Sequence, residues 1–389
     1  MGSSLDLSAL DGSTGFRLDA VSTWDRLGRA VSEAGDVNGD GIDDLLIGAW
    51  GGSTGYAGES FVVFGKASGW AASLDLSTLD GTTGFRLDGV AAADYSGKAV
   101  GAAGDVNGDG FDDILIGAYK AASAAGHSYV VFGQASGWAA SLDLSDLDGT
   151  TGFRIDGIDG SDRSGRSVSG AGDVNGDGFD DMLVGAPHAD PSSNSNSGQA
   201  FVIYGGNFTN EVTHLGTSNA DSLSGTNLAN VLVGGGGGDS LVGNGGADVI
   251  RGGSGGDELK VSDLTFLRLD GGSGLDTLVL DAEGHDLDLT TTPNTKITSI
   301  EMIDINGTGA NTITLNLGDV LDISDSVTNL GPPYRTQLLI AGGSDDTVKS
   351  TGQGWQPGSQ APVDGQTYDT FTSGHAMLFV HEDMIQDIN

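Results

Sequence analysis

Apolar residues in this chain come in short runs of about five, rich in Val, Ile, Leu and Phe, each closed off by Gly, Asp, Asn or Ser. Runs such as LLIGA at Leu45, FVVFG at Phe61 and ILIGA at Ile114 are too short for helices, and their residues suit a pleated sheet. The pattern predicts strands and tight turns throughout. The runs also recur: LDLSALDGSTGFRLDAV from Leu5, LDLSTLDGTTGFRLDGV from Leu74 and LDLSDLDGTTGFRIDGI from Leu142 are near copies, spaced by 69 and then 68 residues. Each copy then carries AGDVNGDG(I/F)DD, an apolar run ending in GA, and SFVVFG, SYVVFG or AFVIYG. About four strands per copy is the content of one β-propeller blade.

A second repeat, of nine residues, starts at Gly216 with GTSNADSLS, GTNLANVLV, GGGGGDSLV, GNGGADVIR and GGSGGDELK, and resumes as GGSGLDTLV at Gly271 after ten residues of different pattern. From about Asp281 this period gives way to longer strand-like runs such as TITLNLGDVLDISD and YDTFTSGHAMLFVHED. The FG of VVFG and the GAP of LVGAP at Val184–Pro187 resemble FG-GAP repeats, the blades of integrin α-subunit propellers. The nonapeptides resemble the RTX calcium-binding repeats of type I secreted proteins, which form a parallel β-roll. The expected fold is therefore all-β. Three FG-GAP propeller-type blades occupy residues 1–208 (5–73, 74–141 and 142–206), a β-roll 209–280, and a C-terminal β region with a type I secretion signal 281–389. Three blades are too few to close a usual propeller, so an oligomer or a larger parent chain is expected to complete them.

Composition sharpens the chemistry. The 389 residues include 54 acids against 16 Lys and Arg, a formal charge of −38. Such a surplus repels phosphate backbones and anionic lipid, so neither nucleic acid nor membrane insertion is expected. The chain has no Cys, and its first residues, Met1 to Ser4 included, form neither a basic nor an apolar leader.

The acids fall where a hard cation would need them. In DVNGDGIDD, oxygen-bearing side chains stand at positions 1, 3, 5 and 9 (Asp36, Asn38, Asp40, Asp44), with the Ile42 carbonyl available at position 7 and Gly41 allowing the sharp turn. The later copies offer Asp105, Asn107, Asp109, Phe111 and Asp113, then Asp173, Asn175, Asp177, Phe179 and Asp181. An EF-hand is excluded, because Ile47, Ile116 and Val184 stand where its bidentate Glu belongs. In the nonapeptides, Asp221, Asp239 and Asp257 should stack along one edge of the roll, Asp248 should face Asn230 on the other, and Asp276 should close a further site. Leu223, Leu232, Leu241, Ile250 and Leu259 should fill the interior. Several calcium ions are the expected cofactors, and metal binding should drive folding of the roll.

No catalytic constellation accompanies these loops. Six His are scattered, no HExxH occurs, and Ser254 in GGSGG lies in a nonapeptide rather than at a strand-to-helix elbow. The reading is a non-enzymatic, extracellular or cell-surface calcium-binding protein that adheres to a protein or glycan through its blades. The alternatives are the non-catalytic end of a larger secreted hydrolase and a structural surface-layer or matrix protein. Trp70 and Trp138, in matching ASGWAAS links, read as structural. The loops after Trp50, Tyr119 and Pro187 vary most and offer a ligand surface.

Overall fold

The computed structural model describes residues 5–52, 55–191, 195–281, 284–324 and 336–389. Met1–Ser4 and parts of the variable loops, at 53–54 and 192–194, lie outside them, as does Asp325 at the end of the TITLNLGDVLDISD run. The protein is almost entirely β, as the short apolar runs require, and divides into two compact units. The first holds residues 1–107, 111–174 and 180–209; the second holds 108–110, 175–179 and 210–389.

The first unit runs through β1 (Arg17–Asp19), β2 (Ala30–Gly35), β3 (Asp44–Ala49), β4 (Glu59–Val63), β5 (Ser73–Asp75) and β6 (Gly84–Asp88). It continues with β7 (Ala99–Gly104), β8 (Asp113–Ala118), β9 (His127–Val131), β10 (Ser141–Asp143) and β11 (Gly152–Asp156), then β12 (Ser167–Gly172), β13 (Asp181–Ala186) and β14 (Gln199–Ile203). Strands β2, β3, β4 and β6 form one antiparallel blade, and β7, β8, β9 and β11 form the next. Among the described residues the third blade has three strands, β12, β13 and β14, and no sheet closes on itself.

Blade and sequence copy are thus out of phase, because the fourth strand of each complete blade is the GFRLD or GFRID of the following copy. Its alternating Phe and Leu cover the preceding sheet: Phe85 and Leu87 are fully buried. The motif glycines have packing reasons. A side chain at Gly48 or Gly117, the Gly of the first two GA motifs, would strike the carbonyl of Gly97 or Gly165 in the next copy. Trp70 and Trp138 are structural, stacking on Phe16 and Phe85 at ring distances of 4.0 and 4.1 Å.

The second unit is a parallel β-solenoid. Its first strands are β15 (His214–Leu215), β16 (Ser222–Ser224), β17 (Val231–Gly236), β18 (Ser240–Val242), β19 (Val249–Gly255), β20 (Glu258–Val261), β21 (Arg268–Gly274) and β22 (Thr277–Leu280). Odd and even strands build two separate parallel sheets, each strand pairing with the one 18 or 19 residues on, so one coil is two nonapeptides. Leu232, Leu241, Ile250 and Leu259 are fully buried between them. The ten residues that interrupt the period form an ordinary half-coil with Leu269 in the interior, hence the 19-residue step.

The same core and one of these sheets run on past residue 280, through strands Met302–Asp304, Thr336–Ala341 and Ala376–His381. One strand-like run proves partly helical: after Thr312–Thr314, residues Leu317–Ile323 form an α-helix. Asn316 and Asp319 close a capping box at its start, and Val320 and Ile323 face the core at helical spacing.

Candidate functional site

Each DVNGDG loop joins the first two strands of its blade and is tied by backbone amides to its own carboxylates. In the first, Asp36 accepts from the amides of Asp40 (3.0 Å) and Gly41 (2.7 Å), Asn38 from Asp40 (2.8 Å), and Asp40 from Ile42 (2.9 Å). Gly39 and Gly41 sit at φ +72° and +85°, which only glycine adopts without strain. Asp44 is fully buried, and its two oxygens accept from Val37 (3.0 Å) and from Gly65 (2.7 Å), the Gly of FG. The acidic loop and the FG motif are therefore two halves of one device. Asp113 repeats it with Val106 and Gly133, and Asp181 with Val174 and Gly205.

Burial pushes the Asp44 carboxyl up to about 7, and burial, with Asp40 and Asp112 nearby, raises Asp36 as well. Asp105, Asn107 and Asp113 are fully buried too. The Phe111 ring packs on Gly39 of the preceding loop. Asp112 and Asp180, beside the predicted ligands, accept the amides of Asp36 (2.8 Å) and Asp105 (2.9 Å), so they link each loop to the one before.

The solenoid holds an acidic ladder. One Asp239 oxygen accepts the Asp221 amide (2.7 Å), one Asp257 oxygen that of Asp239 (2.7 Å), and one Asp276 oxygen that of Asp257 (2.8 Å). The Asp276 amide donates in turn to Glu301 (3.0 Å), a rung the nonapeptide pattern does not mark. Asp248 accepts from Asn230 (2.8 Å) on the second edge. The other oxygens of Asp239, Asp257 and Asp276 are buried without a hydrogen-bond partner. Burial raises all three carboxyls, Asp257 to about 6 and Asp276 to about 8, and lifts Asp248 to about 6. Among the described residues no three His, Cys, Asp or Glu converge on one point as a complete coordination shell. The orphaned, buried carboxylate oxygens nevertheless fit a hard cation, because they are hard, negatively charged donors whose burial is costly while they lack a partner.

A third feature carries no motif of its own. Arg29, Lys98 and Arg166 occupy the same position in the three copies, each just after a Gly and just before the first strand of its blade. Burial, then Arg29, Arg166, Arg26 and Lys120, lower the Lys98 pKa, so these cations share one neighbourhood. Lys98 and Arg26 lie over the Trp50 ring at 3.9 and 4.3 Å, Lys120 over Tyr95 at 4.8 Å and Arg166 over Tyr119 at 5.1 Å. None of Arg29, Lys98 and Arg166 enters an ion pair among the described residues. The loops beneath carry left-handed residues at matching positions, Trp24 and Arg26, Ala93 and Tyr95, Ser161 and Arg163. Such repeated strain accompanies binding surfaces.

Of the histidines, His127 pairs with Asp156 at 2.9 Å, and burial lowers its pKa. Ser254 lies within β19. No helix among the described residues is long and apolar enough to cross a membrane.

The FG-GAP repeat model matches residues 30–63, 96–131 and 164–203, one stretch in each copy. The chain therefore carries three FG-GAP repeats. It is 32% identical to integrin alpha-4 of Xenopus laevis over 162 residues, 41% of this chain and 14% of that protein. It is also 32% identical to integrin alpha pat-2 of Caenorhabditis elegans over 111 residues, 26% of this chain and 8% of that protein. The chain thus spans a small part of either relative.

Proposed function

We propose that this is a non-enzymatic, calcium-loaded binding protein of the extracellular space or cell surface, adhering through its FG-GAP blades to a protein or glycan that presents a carboxylate. The observation that carries the reading is the Arg29–Lys98–Arg166 cluster with its aromatic surround. In a chain with 54 acids and 16 Lys and Arg, three cations repeated in register, with no carboxylate partner among the described residues, call for an anion from outside. The overall charge of −38 repels polyanions, so the ligand carries its carboxylate singly on a neutral body. The half-buried Tyr95 ring supplies apolar contact, the buried Trp50 and Tyr119 rings hold the cations in place from below, and likeness to integrin α-chains supports adhesion as the use.

Calcium belongs to this reading as structural support. Asp36, Asn38, Asp40 and Asp44 with the Ile42 carbonyl, and their counterparts in the other copies, would hold one ion per loop. Asp221, Asp239, Asp257, Asp276 and Asp248 would hold ions along the solenoid, where the orphaned oxygens support it. When bound, calcium supplies positive charge that offsets the clustered carboxylates. Extracellular modules bind it at about 10⁻⁴–10⁻³ M, which suits export of an unfolded chain by a type I route and folding outside.

The test is surface plasmon resonance of the calcium-loaded protein against sialyllactose and lactose. Preference for the acidic sugar, reduced about ten-fold or more by Lys98→Glu, supports the reading. Equal binding of both sugars, or an acid preference untouched by Lys98→Glu, overturns it.

A further inference from the structure

Each complete blade is sealed by residues of the next sequence copy, in two parts. The LDLSxLDG segment lays two leucines on the outer half of the sheet: Leu76 and Leu79 against Ile47, Ala49, Phe61 and Val63, then Leu144 and Leu147 in the same place on the second blade. The GFRLD strand then pairs with the sheet edge, Glu59↔Asp88 through Val63↔Gly84 in the first blade and His127↔Asp156 through Val131↔Gly152 in the second.

Among the described residues the third blade has neither part. At the corresponding place, Val184, Ala186, Phe201 and Ile203 line a cavity of about 160 Å³. Among the described residues strand β14 pairs only with β13, and its Val202 is 48% exposed, whereas Val62 and Val130 on β4 and β9 are fully buried.

The first copy has both parts, and among the described residues they seal no blade. Leu7, the counterpart of Leu76 and Leu144, is 76% exposed, against 2% for each of those. Strand β1 is built like β6. Phe16 stacks on Trp70 as Phe85 does on Trp138, Arg17 pairs with Asp19 as Arg86 does with Asp88 (2.7 Å each), and β1 lies parallel to β5 as β6 does to β10. The remaining edge of β1, which in β6 joins the blade, pairs with nothing among the described residues.

We infer that the open groove of the third blade receives residues Leu5–Asp19 of a second copy of this chain. Leu7 and Leu10 enter the cavity against Phe201 and Ile203, and Gly15–Asp19 adds antiparallel to β14 in the register of the other blades, Gln199↔Asp19 through Ile203↔Gly15. Groove and segment are complementary within one sequence: the groove lacks the segment that the same chain presents unused, and the two blades already sealed show how it fits. Reciprocal exchange between two chains joins two sets of three blades, a number within the range at which propellers close. Exchange of an identical element is an economical route to a symmetric dimer. It also removes the two open strand edges.

Light scattering of the full chain in calcium should give twice the chain mass. Leu7→Asp, at a site exposed in the single chain, should return it to the single mass while leaving circular dichroism unchanged. Since the chain has no Cys, Asp19→Cys protein mixed with Gln199→Cys protein should form a mixed disulfide under oxidation, whereas neither partner mixed with wild type should. A single-mass chain at all concentrations overturns the inference. So does an oligomer that Leu7→Asp leaves intact and that yields no mixed disulfide, since it would be held together elsewhere.

Discussion

Replacing Asp257 by Asn should change the stability of the solenoid in opposite directions with and without calcium. In the metal-free fold, one Asp257 oxygen accepts the Asp239 amide at 2.7 Å while the other is buried without a partner. Burial, with the Asp239 carboxylate adjacent, lifts the group to about 6. Against an ordinary value of about 3.9, a rise of about two units corresponds to at most about 3 kcal/mol at neutral pH, and relaxation and screening reduce this to about 1–2 kcal/mol. Asn keeps an oxygen for the Asp239 amide and removes the charge, so the variant gains most of that amount in EDTA. With calcium the balance reverses. A site of Kd about 10⁻⁴ M stabilises the fold by about 2.7 kcal/mol at one hundred times that concentration, and losing a charged ligand forfeits much of it. For a unit of this size, 1 kcal/mol moves the melting midpoint by about 2–4 °C. Calorimetry should therefore show the midpoint raised by a few degrees in EDTA and lowered by at least as much in 10 mM calcium, about one hundred times such a Kd. A shift of the same sign in both buffers would refute the reasoning that Asp257 is a strained carboxylate relieved by a cation.

Other expectations follow from the same contacts. Leu241→Ala removes a fully buried side chain stacked between Leu223 and Leu259, and should cost about 2–5 kcal/mol in urea unfolding with or without calcium. Asp44→Ala orphans the amides of Val37 and Gly65, at about 1–3 kcal/mol each, and should lower the urea midpoint of the first unit while leaving the solenoid transition in place. In EDTA, stability should fall with rising pH. Asp248, Asp257 and Asp276 have folded pKa values raised to about 6, 6 and 8, so the fold holds protons that the unfolded chain releases. Their contribution is complete below about pH 4 and gone above about pH 8, and a melting series across that range should slope downward.

Much of this was legible in the sequence, because the informative residues are constrained locally. The 1, 3, 5, 9 spacing of each DVNGDG loop is met within nine residues, and the nonapeptide Leu and Asp positions are fixed by a coil of 18 residues. The phase between copy and blade was not legible. GFRLD alternates correctly for any open sheet edge, and only the fold shows that it pairs with the preceding copy. The continuation of the solenoid past residue 280 is hidden because its coils lose the Gly-rich turns while keeping the buried apolar row, and Glu301 joins the ladder from such a coil. The helix at Leu317–Ile323 had a local signal, the Asn316–Asp319 capping box, within a run that otherwise looks extended. Arg29, Lys98 and Arg166 had one too: a G-(R/K) pair at the same place in every copy, overshadowed by the acids around it.

The most direct test of the account is the number of calcium ions the folded chain binds. Equilibrium dialysis of EDTA-stripped protein against millimolar calcium, with magnesium as competitor and elemental analysis of the retained metal, should show at least three ions per chain, one for each loop, with more from the solenoid. Binding should survive excess magnesium. Less than one ion per chain, or full displacement by magnesium, would contradict it and leave the acidic loops as hydrogen-bonded turns.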